Sequence, residues 1–378
     1  MIAQLIHLSS KEVFRKYSEL INSGLFLYEP DSYLLELRET SENDSSILKN
    51  FIQEDNKILF YSDDSSKNFF IHGNISEIKS IISNFPEGEP GNKINSVLHN
   101  YLNYNQKYYQ IENKEYNFES AYVMGILNVT PDSFSDGGLY INSDDAAEHA
   151  LEMINDGADF IDVGGESTRP GSDIVTEDEE LKRVIPVIKK ILSAAPETII
   201  SIDTTKSKVA EEAIKNGAKI VNDISGATFD EEMLTIVKKF DASVILMHIN
   251  GTPKNMQQNP YYENVVEEIY DFLFERIKAA EGLEIKNIFV DPGIGFGKRI
   301  EDNFEILRRL EDFKSLGFPI VIGTSRKSFL GKTLNLDITE RDTATAITES
   351  IAVKNGARII RTHNVIYGKQ VCELLNNF

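Results

Sequence analysis

From Tyr122 to the C-terminus, short apolar runs alternate with amphipathic stretches. The runs are Tyr122–Leu127, Phe160–Val163, Thr198–Ile202, Ile220–Val221, Val244–Met247, Ile288–Val290, Ile320–Ile322 and Ile359–Ile360. Short, near-continuous apolar segments are what a parallel sheet buried on both faces requires. Their alternation with helical stretches implies βαβ crossovers. Eight units in roughly 257 residues match the usual ~250-residue size of an eight-fold barrel. The pattern predicts an α/β fold, a (β/α)8 TIM barrel, with its chemistry at the C-terminal ends of the strands.

The helical stretches carry start and stop signals. Thr176 with Glu179 reads as a capping box ahead of Leu181, Val184, Ile185 and Ile188, which share one face. Pro186 inside that stretch predicts a kink. Asp156-Gly157-Ala158, Asn216-Gly217-Ala218 and Asn355-Gly356-Ala357 each stand just before a strand, where a glycine at positive φ ends a helix.

Residues 1–107 read differently. Lys11–Ile21, Ser45–Glu54, Asn74–Phe85 and Lys93–Tyr104 show helical patterns, and Asn74 with Glu77 reads as a capping box. Ser32–Leu37, Lys57–Tyr61 and Asn68–His72 read as strands. Pro86-Glu87-Gly88-Glu89-Pro90-Gly91 reads as a turn-rich break. The expectation is a small N-terminal α+β extension over 1–107, accessory to a barrel domain over 108–378. A short β-hairpin at Tyr108–Asn117 leads into that domain.

Composition narrows the function classes. A hydrophobic fraction of 41% and a charged fraction of 26% argue against disorder of the whole chain. The net charge of -21 argues against a nucleic-acid partner, which needs clustered Lys and Arg. Cys372 is the single cysteine, so no intrachain disulfide forms, which fits a cytoplasmic location. Met1–Ser10 lacks a basic start and a long apolar core, and no apolar run is long enough to span a membrane.

The informative residues follow the apolar runs. Asn128 follows the first, Asp162 interrupts the second, and Asp203 follows the third. Asn222 and Asp223 follow the fourth, His248 the fifth and Asp291 the sixth. Gly323-Thr-Ser-Arg-Lys-Ser328 follows the seventh, and Arg361 with His363 ends the eighth. In such a barrel these positions converge on one mouth. Asp223 and Ser325 are expected to be helix N-caps; His248, Lys327, Arg361 and His363 are poor caps and call for another reason. Asp and Asn suit a flat nitrogen heterocycle, and Arg361 with His363 suits an anion. The glycines of Asp291-Pro-Gly-Ile-Gly-Phe-Gly-Lys298 would let backbone approach a ligand, with Phe296 beside its ring. Two loops, 128–138 and 164–171, read either as mobile substrate lids or as surface turns.

Together these segments resemble dihydropteroate synthases. The resemblance rests on Met124-Gly-Ile-Leu-Asn-Val-Thr-Pro-Asp-Ser-Phe-Ser-Asp-Gly-Gly138 and Asp162-Val-Gly-Gly-Glu-Ser-Thr-Arg-Pro-Gly171. It continues through Ile202-Asp-Thr204, Val221-Asn-Asp-Ile224, Leu246-Met-His248, Asp291–Lys298, Gly323–Ser328 and Arg361-Thr-His363. It implies condensation of 6-hydroxymethyl-7,8-dihydropterin diphosphate with p-aminobenzoate, giving dihydropteroate and diphosphate. It further implies Mg²⁺ as cofactor, a homodimer, and an enzyme of the class that sulfonamides target. By the family pattern, Asp203, Asn222, Asp291 and Lys327 hold the pterin edge, with Met247, Phe296 and Gly323 packing nearby. Asn128 helps hold Mg²⁺ on the diphosphate, which Arg169, Arg361 and His363 also bind. Phe134, Thr168, Pro170 and Ser328 shape the p-aminobenzoate pocket. Asp136, Arg169, Lys327, Arg361 and His363 are the expected catalytic set. Thr205, Ile249 and Asn364 depart from commoner family residues, and Asn364 is expected to influence His363. A corrinoid-directed methyltransferase barrel would share the pterin-edge residues without needing 325–328, Arg361-x-His363 or the two loops. A non-catalytic pterin-binding relative and a phosphosugar barrel fit the residues less well.

Overall fold

The computed structural model describes residues 1–21, 29, 31–52, 68–85, 88–130, 143–169, 171–172 and 174–378. The chain forms two compact units, residues 1–104 with 311–317, and residues 105–310 with 318–378.

The first unit contains β1 (Ile2–His7), α1 (Lys11–Ile21), β2 (Tyr33–Arg38), α2 (Glu42–Ile52), β3 (Phe69–Gly73), α3 (Ile75–Ser83) and α4 (Glu89–Leu102). Its strands form an antiparallel sheet in the order β1-β2-β3. Strand β1 escapes the hydropathy pattern because both its faces are buried. Leu5, Leu35, Leu37 and Phe69 pack with Ile78, Ile82 and Ile94 on one side. On the other side Ile6, Leu34 and Phe70 pack with Val13 and Tyr17 of α1. The Asn74–Glu77 capping box forms, with both reciprocal bonds at 3.0 Å. The expected break at 86–91 is corrected in its second half: Glu89-Pro90-Gly91 opens α4, since proline is tolerated in a first helical turn. Pro86, Glu87 and the expected strand Lys57–Tyr61 lie outside the described residues.

The second unit begins with the hairpin β4 (Tyr108–Ile111) and β5 (Lys114–Asn117). There follow β6 (Tyr122–Asn128), α5 (Ser143–Asn155), β7 (Phe160–Gly164), α6 (Glu177–Ala194), β8 (Ile199–Asp203), α7 (Ser207–Lys215), β9 (Ile220–Asp223) and α8 (Met233–Lys239). The second half comprises β10 (Ser243–Met247), α9 (Val265–Gly282), β11 (Ile288–Asp291), α10 (Ile300–Arg308), β12 (Ile320–Ile322), α11 (Ser328–Leu334), α12 (Asp342–Lys354), β13 (Ala357–Thr362) and α13 (Val365–Leu375). Strands β6 to β13 close into a parallel eight-stranded barrel, as the eight apolar runs predict. Gly157, Gly217 and Gly356 end their helices at φ of 101°, 111° and 110°. In α6 only half of the expected box forms: Thr176 accepts from the Glu179 N–H, while the Glu179 carboxylate turns to Arg183 at 3.1 Å. The buried face of α6 is Glu180, Val184, Val187, Ile188 and Ile191, leaving Leu181 and Ile185 at its margin. The helix runs on through Pro186, which is exposed.

Period-two alternation along each strand sets what the barrel interior contains. Near the strand N-termini, Met124, Phe160, Ile199, Ile220, Ile245, Phe289, Val321 and Ile359 form one apolar layer. The hairpin closes it from below with Tyr109, Ile111, Tyr116 and Phe118. Tyr116 stacks on Phe160 at 4.7 Å, and Tyr109 meets Phe289 edge-on at 5.1 Å while its hydroxyl donates to the Ile288 carbonyl at 2.7 Å. Two or four residues farther along the same faces come Asn128, Asp162, Asp203, Asn222, Met247, Asp291, Gly323, Arg361 and His363.

Candidate active site

A cavity of about 790 Å³ opens at the C-terminal ends of the strands. Every described residue to which the family resemblance gives a role lines it: Asn128, Thr168, Arg169, Asp203, Asn222, Met247, Asp291, Phe296, Gly323, Lys327, Ser328, Arg361 and His363. Phe134, Asp136 and Pro170 lie outside the described residues, as does most of the first loop.

At the floor, Arg361 bridges two acids. Its Nε donates to Asp162 Oδ2 at 2.6 Å and its terminal nitrogen to Asp203 Oδ2 at 2.7 Å. Arg361 is therefore not a freely swinging anion clamp; two carboxylates fix its guanidinium plane. Asp162 also accepts from Asn222 Nδ2 at 2.9 Å, which leaves the Asn222 carbonyl oxygen available as an acceptor. Burial holds Asp203 above the ordinary carboxylate range, with Arg361 opposing and Asp162 reinforcing the rise. Asp291 accepts from the Gly293 N–H at 2.7 Å through one oxygen, and burial pushes its carboxyl up to about 6 against Lys327 and Arg361. Lys327 lies 3.9 Å above the Phe296 ring, and burial together with the Arg361 charge lowers it to about 8.

The sixth-strand loop departs from expectation. Gly293 and Gly297 face backbone, not ligand: a Cβ would stand 1.9 Å from the His248 carbonyl and 2.4 Å from that of Asn250. Gly295 does line the cavity. His248 is also reassigned. It is not among the cavity-lining residues; its Nδ1 meets Lys298 Nζ at 3.0 Å and its ring packs edge-on against Phe272 at 5.0 Å. Burial and the neighbouring ammonium hold this imidazole well below its usual pKa, so it serves as a neutral acceptor.

Neither expected N-cap is one. Asp223 is fully buried and accepts from the Ser225 N–H and hydroxyl at 2.8 and 2.7 Å, shaping a turn ten residues ahead of α8. Ser325 reaches His363, with Oγ 2.9 Å from Nδ1. Lys327 takes the N-cap position of α11 with no side-chain capping bond. Asn364 caps α13, accepting from the Tyr367 N–H, and donates to Asp342 at 3.0 Å.

The second loop is anchored at its base by residues that sequence reasoning passed over. Lys206 bridges Glu166 in the loop and the buried Glu180 of α6, the latter at 2.7 Å. Glu166 also accepts from the Val175 N–H at 3.0 Å, and Arg183 donates to the Gly165 carbonyl at 2.9 Å. These bonds hold the base of a loop that carries Thr168 and the exposed Arg169 to the cavity.

A family profile described as pterin binding enzyme matches residues 124–363. The dihydropteroate synthase of Clostridium beijerinckii is 46% identical over 269 residues, spanning 70% of this chain and 97% of that one. The chain belongs to the dihydropteroate synthase family. Members of this family are transferases of folate synthesis, and this chain is one of those enzymes. Solved relatives share the barrel. The Yersinia pestis dihydropteroate synthase with a sulfonamide drug complex superposes with a TM-score of 0.68 at 38% identity, covering 72% of this chain and 98% of that one. The Xanthomonas albilineans dihydropteroate synthase in complex with 7,8-dihydropteroate gives 0.64 at 32% identity, covering 72% and 98%.

Proposed function

We propose that the enzyme condenses 6-hydroxymethyl-7,8-dihydropterin diphosphate with p-aminobenzoate, releasing diphosphate. The observation that carries this reading is a buried pair of acids, Asp203 and Asp291, facing one cavity with Asn222, Lys327 and Arg361. A pterin edge offers ring N–H and exocyclic amine donors to carboxylates and ring acceptors to an ammonium. The Xanthomonas relative is named in complex with 7,8-dihydropteroate, which contains both substrate halves.

The reaction needs no enzyme nucleophile. The methylene C–O bond to diphosphate breaks, the electron-rich pterin stabilises the carbon left behind, and the neutral arylamine forms the new C–N bond and loses a proton. This is a largely dissociative displacement. Arg361, fixed by Asp162 and Asp203, presents its remaining N–H groups and its charge to the departing diphosphate, with Arg169 at the rim. Thr168 and Ser328 line the cavity where the arylamine enters, and a sulfonamide would compete there.

Among the described residues, no three His, Cys, Asp or Glu side chains stand together as a metal site. Asn128 offers a side-chain oxygen at the cavity wall, which fits an ion carried in by the diphosphate and otherwise hydrated, the habit of Mg²⁺. Bound there, Mg²⁺ would neutralise charge on the leaving group. A homodimer is proposed on an exposed apolar stripe, Ile347 and Ile351 of α12 with Ile366 and Leu374 of α13. No helix among the described residues is long and apolar enough to cross a membrane.

Incubating the purified chain with the pterin diphosphate, p-aminobenzoate and Mg²⁺ is expected to yield dihydropteroate. A folded chain that forms none overturns this reading.

A further inference from the structure

We infer that Ser325 is a positioning residue that holds His363 as the neutral Nε2–H tautomer, so that the imidazole offers the leaving anion a hydrogen-bond donor. The inference rests on the proposed placement of that anion beside Arg361.

The argument is one of donor and acceptor count. The Ser325 oxygen has two lone pairs and one proton. The His363 backbone N–H donates to it at 3.1 Å, and the Thr362 hydroxyl stands 3.5 Å away. The backbone N–H occupies one lone pair and the Thr362 hydroxyl lies toward the other, so the serine proton is directed to His363 Nδ1 at 2.9 Å. A nitrogen that accepts this bond carries no proton, so the proton of the neutral ring sits on Nε2. Burial, then the charges of Arg361, Arg326, Lys327 and Arg169, push His363 down to about 3 and keep the ring neutral.

The turn carrying Ser325 is rigid, which positioning requires. Arg326 adopts φ 55° and forms a two-pronged bond to Asp342 at 2.7 and 3.0 Å. Its N–H donates to Thr345 at 3.1 Å. Asp342 also accepts from Asn364, so one carboxylate ties the turn bearing Ser325 to the residue after His363. An aspartate at position 364 would instead set two carboxylates against each other.

The test uses the full-length enzyme with ¹⁵N-labelled histidine, with His363→Gln to assign the signal. In the ligand-free wild type, His363 should show a single Nε2–H species with Nδ1 shifted as a hydrogen-bonded acceptor. In Ser325→Ala that Nδ1 shift should vanish and a second tautomer should appear, while kcat falls by on the order of 10-fold with KM for both substrates changed less than about two-fold. Ser325→Thr, which keeps the hydroxyl, should restore both signals. A wild-type ring protonated on Nδ1, or an Nδ1 signal unmoved in Ser325→Ala, overturns the inference. Tautomers that behave as stated with no change in turnover support the serine–imidazole bond and instead remove His363 from the leaving-group site.

Discussion

The two ends of the barrel interior are built from the same eight strands and have opposite contents. At the N-terminal end the inward positions are Met124, Phe160, Ile199, Ile220, Ile245, Phe289, Val321 and Ile359, closed by the aromatic residues of the hairpin. A step of two residues reaches Asp162, Asn222, Asp291 and Arg361 on the same faces. One end is a dry core that closes the barrel. The other is a charged layer whose burial raises Asp291 and lowers Lys327 from their ordinary pKa values. Closure of the barrel and its chemistry are separated by two or four residues along each strand, so truncation in the apolar layer should leave the chemistry intact.

Arg361→Met should give the largest effect, a loss of kcat on the order of 10³-fold. The variant should also melt at lower temperature, because Asp162 and Asp203 lose their partner. Lysine should not restore activity, since it lacks the fork that meets two acids at once. Steady-state kinetics and a thermal melt check both parts. Phe118→Ala makes the opposite prediction. Phe118 is fully buried, and its truncation should cost about 3–4 kcal/mol in chemical denaturation while kcat/KM of the folded enzyme stays within about two-fold. A large kinetic defect in Phe118→Ala would break the division between the two ends.

Asp291→Asn should weaken pterin binding by about 30-fold in calorimetry, in line with loss of a charged hydrogen bond, with the melting temperature unchanged or raised. Unchanged affinity would mean the ring edge lies elsewhere. The smallest effect concerns pH. Glu349 of α12 is fully buried, and burial pushes its carboxyl from 4.5 up to about 8, against a weak contact with Thr362. The unfolded chain ionises this group near pH 4.5 and the folded chain only near 8, so wild-type stability declines as pH rises between those values. Glu349→Gln removes that decline. Its melting temperature should pull ahead of wild type from about pH 5 to about pH 8 and then hold a constant lead. Parallel curves would show that Glu349 does not ionise differently on folding.

The barrel was legible because its signals are local. Apolar runs mark strands, and Gly157, Gly217 and Gly356 mark helix ends within a few residues of sequence. The cavity-lining residues were legible because strand ends converge in this fold. The partnerships were not. Arg361 meets Asp162 across 199 residues of chain, and Ser325 meets His363 across 38. Periodicity carries no trace of such pairs, so Arg361 read as an unattached clamp and Ser325 as a cap. His248 misled for the same reason: its strand-end position suggested chemistry, while its partner is Lys298, fifty residues on. Strand β1 was missed because burial on both faces erases the alternation that marks a strand.

The central claim is tested most directly by following diphosphate and dihydropteroate together in one rapid-quench reaction, with and without p-aminobenzoate. The account predicts equal amounts of both products when Mg²⁺ and p-aminobenzoate are present, and no dihydropteroate when either is left out. Diphosphate in excess of dihydropteroate in the complete reaction, or no dihydropteroate from the folded chain, would contradict it.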